Sequence, residues 1–291
     1  MKNILFFGGA SMLAYMWTNN WKAKYNIFLG INKRSSENIG IKTIQLSNYN
    51  NELESLIKEF KIDIIINCSG LTGVEECENN PKRAEELNSF LPGQLSKACL
   101  NTSAKLVHIS TDHLFNGQNK NMDELSKVTP LNIYARSKYL GECNVIKNNH
   151  NSLIIRTNFY GLGPSYRPSF SDRIISSLQL NREIHLFDNV YYTPIHVDEL
   201  TNIVELLLKK NKKGIFNISS NERITKFDFG VLLAEKFKLN KELIKPINIE
   251  QKKDLVTRPE DMSLSNNKLF KEINYKVKTL QGQLSDLVQN Y

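Results

Sequence analysis

Short apolar runs alternate with stretches of helical period through the first half of this chain, and that alternation narrows the choice of folds more than any other feature. The runs are Asn3 to Phe7, Tyr25 to Ile31, Lys42 to Leu46, Ile62 to Asn67, Lys105 to Ile109 and Ser152 to Ile155. Helical periods near 51–60, 81–99 and 131–148 lie among them. The run Ile62-Asp-Ile-Ile-Ile-Asn67 is continuously apolar at its centre, as a strand buried on both faces of a parallel sheet must be. Six such strands separated by helices predict an α/β fold with a Rossmann-type, doubly wound parallel sheet.

The first run ends in Gly8-Gly-Ala-Ser-Met-Leu-Ala14, after which a helix begins. A strand entering a glycine turn at a helix N-terminus offers free N–H groups and the positive end of the helix dipole to a dinucleotide pyrophosphate. Ser11 and Ala14 occupy the usual second and third glycine places. Alanine meets the third place, which asks only for close helix packing, whereas Ser11 sets a side chain where backbone approaches phosphate. The second strand ends in Asn32-Lys-Arg34, with no acid to take the adenosine ribose hydroxyls. Lys33 and Arg34 suit a 2′-phosphate instead, so NADP is expected ahead of NAD. Cys68-Ser-Gly70 supplies small residues at another strand's carboxyl end, where open α/β sheets bind ligands.

Val107-His-Ile-Ser-Thr-Asp-His-Leu-Phe115 reads as a strand ending in hydroxyl and carboxylate groups, followed by Tyr134-Ala-Arg-Ser-Lys138 on a helix. Residues four apart share a helix face, so Tyr134 and Lys138 point the same way. A neighbouring ammonium favours the ionised phenol, making Tyr134 a usable proton donor and acceptor near neutral pH. The Thr111 hydroxyl at the strand end is suited to hold a carbonyl oxygen beside it.

With 291 residues, 41% hydrophobic and 23% charged, the chain can bury a large core. The net charge of +8 is carried by scattered lysines with only short runs such as Lys209-Lys-Asn-Lys-Lys213, so it reads as a solvated surface, not a nucleic-acid face. No window is apolar enough to span a membrane and the N-terminus lacks a signal-peptide layout, so a cytoplasmic location is expected. Cys68, Cys77, Cys99 and Cys143 lack metal-ligand spacing and read as reduced thiols, and His108, His150, His185 and His196 likewise suggest no metal.

After Arg156-Thr-Asn-Phe-Tyr-Gly161 the texture changes, with loop-like stretches at 163–170 and 190–194. A helix from Val197 to Lys209 and a strand from Gly214 to Ile218 look like a return to the sheet. Helices follow from Lys226 to Lys236 and from about Thr279. The expected organisation is a dinucleotide-binding domain of 1–160 plus about 195–225. A smaller C-terminal substrate lobe would be built from separated segments, about 161–194 and 226–291, covering the open strand ends.

Taken together these blocks resemble the extended short-chain dehydrogenase/reductase superfamily and, within it, the dTDP-4-dehydrorhamnose reductase family. The matching pieces are Asn67-Cys-Ser-Gly-Leu-Thr72, Glu75-Glu-Cys-Glu78, Leu87-Asn88, Ile109-Ser-Thr-Asp-His-Leu-Phe-Asn-Gly117, Tyr134 to Lys138 with Gly141-Glu142, and Arg156-Thr157. Thr193-Pro194, Gly214 to Ile218, Arg258-Pro259 and Ser263-Leu264 continue the likeness in order. The resemblance implies an NADPH-preferring reductase, with NADH the second choice, acting on a nucleotide-linked 4-keto-6-deoxysugar in surface-polysaccharide assembly. It implies that Thr111 holds the ketone, Tyr134 protonates it, and Lys138 holds the nicotinamide ribose while lowering the phenol's pKa. Gly8, Ser11, Met12, Leu13, Cys68, Ser69 and Gly70 would line the cofactor. Asp112 and Phe159 fall where the family contacts sugar or base, and Arg167 and Arg173 would grip the nucleotide diphosphate. The partner implied is a small nucleotide sugar, with no nucleic acid or membrane; a homodimer is compatible.

His113 stands where this family carries an aromatic Tyr, so the pocket wall is reshaped. Two other readings are open. One is a dehydratase or epimerase of the same superfamily; sugar-nucleotide dehydratases similar to this fold place a carboxylate after the Thr-Asp pair, where this chain has His113. A non-catalytic subunit resembling the regulatory subunit of methionine adenosyltransferase would bind dinucleotide without turnover. The retention of Thr111, Tyr134 and Lys138 together argues for the enzyme.

Overall fold

The computed structural model describes residues 1–34, 36–38, 40–49, 52–289 and 291. By its own contacts the chain divides into two compact units, one of residues 1–111, 132–156 and 207–216, the other of residues 112–131, 157–206 and 217–291.

The first unit is built on a sheet of seven strands: β1 (Asn3–Phe7), β2 (Asn26–Ile31), β3 (Lys42–Gln45), β4 (Ile64–Asn67), β5 (Lys105–Ile109), β6 (Leu153–Arg156) and β7 (Gly214–Asn217). Their order is β7-β6-β5-β4-β1-β2-β3, and the pairings from β3 through β6 are parallel. No residue of β4 is more than 4% exposed, so both of its faces are covered and a run without polar alternation is what the position requires. The expected return to the sheet is present as β7, and the Gly214 amide donates to the Ser152 carbonyl at 2.8 Å. Strand order reverses between β1 and β4. At that switch point the carboxyl ends of the two strands splay their following loops apart and leave a crevice for ligands.

Four helices of this unit matter for the site: α1 (Met12–Trp21), α2 (Leu53–Glu59), α3 (Leu91–Thr102) and α4 (Ile133–Asn148). The start expected for α2 at Asn51 lies outside the described residues. The long helix expected at 81–99 is instead three pieces, Pro81–Glu85, a π turn at Glu86–Phe90, and α3. Leu91 donates its N–H to the Glu86 carbonyl, five residues back. Pro92 has no N–H to offer the Asn88 carbonyl, and the wider turn absorbs that missing bond. The freed segment packs closely on α4. A Cβ at Gly141 would lie 2.1 Å from the Asn88 carbonyl oxygen, and one at Gly93 would meet the Asn144 Cβ at 3.0 Å. Glycine at both places is therefore the condition for that helix pair. The helix Val74–Asn79 has no counterpart among the expected elements.

The second unit joins three pairs of short strands, Phe159–Tyr160 with Ile195–His196, Tyr191–Tyr192 with Ile224–Thr225, and Ile184–Phe187 with Ile244–Ile247. Its longer helices are α5 (Phe170–Gln179), α6 (Val197–Lys209, up to residue 206), α7 (Lys226–Lys236) and α8 (Leu280–Gln289). The core centres on Phe229, whose ring meets Tyr160 and Tyr192 edge-on at 5.1 and 5.9 Å and stacks on Phe170 at 6.0 Å. Residues 112–131, expected with the sheet, cluster here instead. The reason is local: Met122 donates to the Ser263 carbonyl, and its own carbonyl accepts from Ser265 and from the Asn217 side chain, each at 2.9 Å. The boundaries expected near 160, 195 and 225 move accordingly.

Gly141→Ala should lower the unfolding free energy by about 1–3 kcal/mol, the usual cost of overpacking a filled interface. Urea unfolding measures it, and an unchanged midpoint would show that the Asn88 turn does not fix the approach of α4.

Candidate functional site

The loop after β1 is a crevice wall made of backbone. Gly8 has φ +84°, and a Cβ there would stand 2.8 Å from the Ser69 nitrogen. The Cys68 amide donates to the Phe7 carbonyl at 2.9 Å, tying the two strand ends together. Ser11 is the N-cap of α1, and its hydroxyl accepts from the Ala14 amide at 3.2 Å. The residue that replaces the second glycine thus works as a helix cap. Ala14 is fully buried, as the third place asks. The first turn of α1, with Met12 and Leu13, holds no acidic side chain, so the positive end of its dipole is uncompensated. Lys33 and Arg34 are exposed just past β2. A glycine cradle at a helix N-terminus fits the pyrophosphate of a dinucleotide.

Past β4 the chain is fixed by two asparagines. The Asn67 carboxamide oxygen accepts from the Ser69 amide and hydroxyl at 3.1 and 2.6 Å, while its nitrogen donates to Nδ1 of His108 at 3.1 Å. His108 is wholly buried, which drives its pKa well below the usual value, with the Lys138 charge acting the same way. Asn88, on the π turn, accepts from the Leu71 amide at 2.8 Å and donates to the Leu71 carbonyl and the Ser137 hydroxyl at 2.9 and 3.0 Å. It joins the segment after Cys68, Ser69 and Gly70 to the helix of Tyr134 and Lys138. Leu87-Asn88 is one of the blocks that carry the family likeness, and the sequence alone assigns Asn88 no task. The Pro92 four residues later was the available signal of a perturbed helix.

Asn132 caps α4, its side chain accepting from the Ala135 amide at 2.9 Å. Tyr134 therefore sits in the first turn and Lys138 one turn on, as their spacing predicts. Both are buried, at 8% and 5% exposure, and Thr111 at 4% follows β5. The Lys138 ammonium donates to the Ile109 carbonyl at 2.6 Å, two residues before Thr111. That bond brings the Tyr-x-x-x-Lys helix to the carboxyl end of β5. Burial pushes the Lys138 pKa down to about 8, opposed chiefly by the Glu142 carboxylate and then by Cys68 and Cys77. Glu142 is itself held by Arg156, at the end of β6, through bonds of 3.0, 3.2 and 2.7 Å. Burial pushes the Cys68 thiol far up, against the pull of Lys138 and a hydrogen bond with Ser11, so it stays a neutral group.

In the second unit, Asp112 is 2% exposed and accepts from the Asn158 side chain at 2.7 Å. Phe159 and Arg167 are half-buried, and Arg173 is exposed on the first turn of α5. A surface groove along α2, α3 and α4, lined by residues such as Glu54, Phe90 and Lys97, includes none of the expected site residues. No helix is long and apolar enough to cross a membrane among the described residues.

The strand order, the glycine cradle and the Tyr-x-x-x-Lys helix define a dinucleotide fold of the short-chain dehydrogenase/reductase class. The model of the RmlD substrate binding domain family matches residues 1–291, and the chain belongs to that family. It is 29% identical over 236 residues to a probable low-salt glycan biosynthesis reductase of Haloferax volcanii, covering 80% of this chain and 79% of the relative. It is 28% identical over 204 residues to the methionine adenosyltransferase 2 subunit beta of Pongo abelii, covering 68% of this chain but only 61% of that protein. The fold matches the dTDP-4-dehydrorhamnose reductase of Bacillus anthracis, solved in complex with NADP, with a TM-score of 0.85 at 22% identity over all of both chains.

Lys138 loses its proton near pH 8, so kcat/KM, which reports the free enzyme, should fall above that pH. Removing a carboxylate that favours the ammonium must lower that pKa further, so Glu142→Gln should move the falling limb to lower pH. A pH–rate profile of both proteins tests this; a limb that stays in place would show that Lys138 does not govern it.

Proposed function

We propose that this chain is an NADPH-preferring reductase of a nucleotide-linked 4-keto-6-deoxysugar, acting in deoxysugar or surface-polysaccharide biosynthesis. The observation that carries the reading is the Lys138–Ile109 hydrogen bond, which holds the phenol-bearing helix against the strand that ends at Thr111. Membership of the RmlD substrate binding domain family supports it. In this reading the reduced nicotinamide supplies a hydride to C4 of the sugar. Thr111 donates its hydroxyl hydrogen to the ketone oxygen, polarising the carbonyl. Tyr134 delivers the proton that turns the developing alkoxide into a hydroxyl. Lys138 holds the nicotinamide ribose hydroxyls and keeps positive charge beside the phenol, which favours its release of a proton.

Gly8 and the first-turn amides of Met12 and Leu13 take the pyrophosphate, with Ser11 shaping the turn by capping the helix. Lys33 and Arg34 take the 2′-phosphate, and Cys68, Ser69 and Gly70 flank the dinucleotide. Asp112 and Phe159 contact the sugar or base, and Arg167 and Arg173 the diphosphate.

A second reading, a regulatory subunit that binds dinucleotide without turnover, is favoured by the likeness to the methionine adenosyltransferase subunit and by Ser11 in the glycine turn. Tyr134→Phe separates the two. General acid catalysis contributes about 10²–10⁴-fold, so the variant should lose at least about 100-fold in NADPH oxidation with a nucleotide ketosugar. Its NADPH affinity should stay within about twofold, since the phenol's proton is not part of dinucleotide binding. A variant that keeps more than about a tenth of the rate contradicts the assignment. Wild-type protein that binds NADPH but oxidises none favours the regulatory reading.

A further inference from the structure

Lys226 is the first residue of α7, and a cation there faces the positive end of the helix dipole. The cap is already complete without it, because the Thr225 hydroxyl accepts from the Asp228 amide and donates to the Asp228 carboxylate at 2.9 and 2.6 Å. Local folding therefore gives no reason for a lysine at this position. Its ammonium stands 3.2 Å from the Tyr192 ring centroid and 5.3 Å from that of Phe170. Among the described residues it makes no hydrogen bond and no ion pair, so three N–H donors are held in an aromatic cage with no acceptor. The residue as a whole is half-buried.

A second observation points to the same place. The Tyr192 hydroxyl, on a side chain 1% exposed, meets no hydrogen-bond partner among the described residues. Burial pulls the Lys226 ammonium down to about 8, opposed by the carboxylate of Asp112. His113 is held neutral by burial and by the cations Lys226 and Arg258, against the pull of Asp112.

We propose that Lys226 is a specificity-determining residue of the second unit, binding an oxyanion of the nucleotide sugar: a phosphate of its diphosphate or a carboxylate on its sugar. The helix dipole, the ammonium and the Tyr192 hydroxyl all offer positive charge or a donor to such a group. The inference rests on the nucleotide-sugar reading for the identity of the ligand, though not for the oxyanion itself.

Reductive methylation of wild-type protein, followed at Lys226 by peptide mass spectrometry, tests it without any substitution. The probes are inorganic pyrophosphate, thymidine diphosphate, a nucleoside diphosphate glucose and a nucleoside diphosphate glucuronate, each at millimolar concentration and constant ionic strength. An oxyanion on the ammonium keeps it protonated and shielded, so its methylation should slow by about tenfold, the scale of one hydrogen bond to a charged group, while exposed lysines are unaffected. Protection by pyrophosphate and every nucleotide assigns the phosphate; protection by the glucuronate alone assigns the carboxylate. Pyrophosphate protecting while the nucleotides do not would keep the oxyanion site and sink the nucleotide-sugar reading. Absence of protection by all four overturns the inference, whatever the enzyme does with NADPH. Lys226→Met, which keeps a stem over the rings, should weaken the protecting ligand by about tenfold, and Lys226→Arg should restore most of that loss.

Discussion

A buried ammonium at the end of a strand is the constraint from which the site of the first unit follows. Lys138 is 5% exposed, and a charge so placed persists only where dipoles and counter-charges replace water. The Ile109 carbonyl supplies the dipole and Glu142, one helical turn on, supplies the negative charge. Arg156 in turn neutralises Glu142 from the neighbouring strand β6. Breaking such a pair on one side leaves an uncompensated buried charge and costs about 3–5 kcal/mol, so these groups act together to fix the helix against the sheet. The near-neutral pKa of Lys138 is the outcome of that balance, and it makes the ammonium a responsive neighbour for the Tyr134 phenol.

The same helix is fixed from its other side by an irregularity. Pro92 removes one rung of the helix ladder, the π turn at Glu86–Phe90 takes up the slack, and Asn88 bridges Leu71 to Ser137. The segment proposed to flank the dinucleotide and the helix proposed to carry the proton donor are thus joined through one carboxamide. Gly141 allows this because any Cβ would collide with the Asn88 carbonyl. A π turn near chemistry is a common way of spending helix regularity on placement.

Much of this was legible in the sequence because the sheet's signals are local. Short runs of strand character marked β1 to β6, the return at Gly214 marked β7, and the spacing of Tyr134 and Lys138 gave their common face. What was not legible depends on contacts distant in the chain. The bonds of Asn88 reach 17 and 49 residues away, and the pairing of Ile184–Phe187 with Ile244–Ile247 joins segments that carry no mutual signal. Helix α5 was not among the expected elements: it begins where the loop-like stretch 163–170 ends, although Ser169 and Asp172 form a capping box that announces it. The capping role of Ser11 was not legible, since spacing alone does not distinguish a depleted glycine turn from a helix cap. Lys226 went unremarked, because its peculiarity is the pair of rings and the carboxylate around it.

The account is tested most directly by where the nicotinamide hydrogen goes. Protein incubated with NADPH deuterated at the transferable C4 position and a nucleotide-linked 4-keto-6-deoxysugar should yield product with deuterium at sugar C4, one label for each NADPH oxidised. Deuterium that stays on the dinucleotide, with the dinucleotide bound and the sugar recovered unchanged, would contradict the reductase and leave a binding subunit in its place.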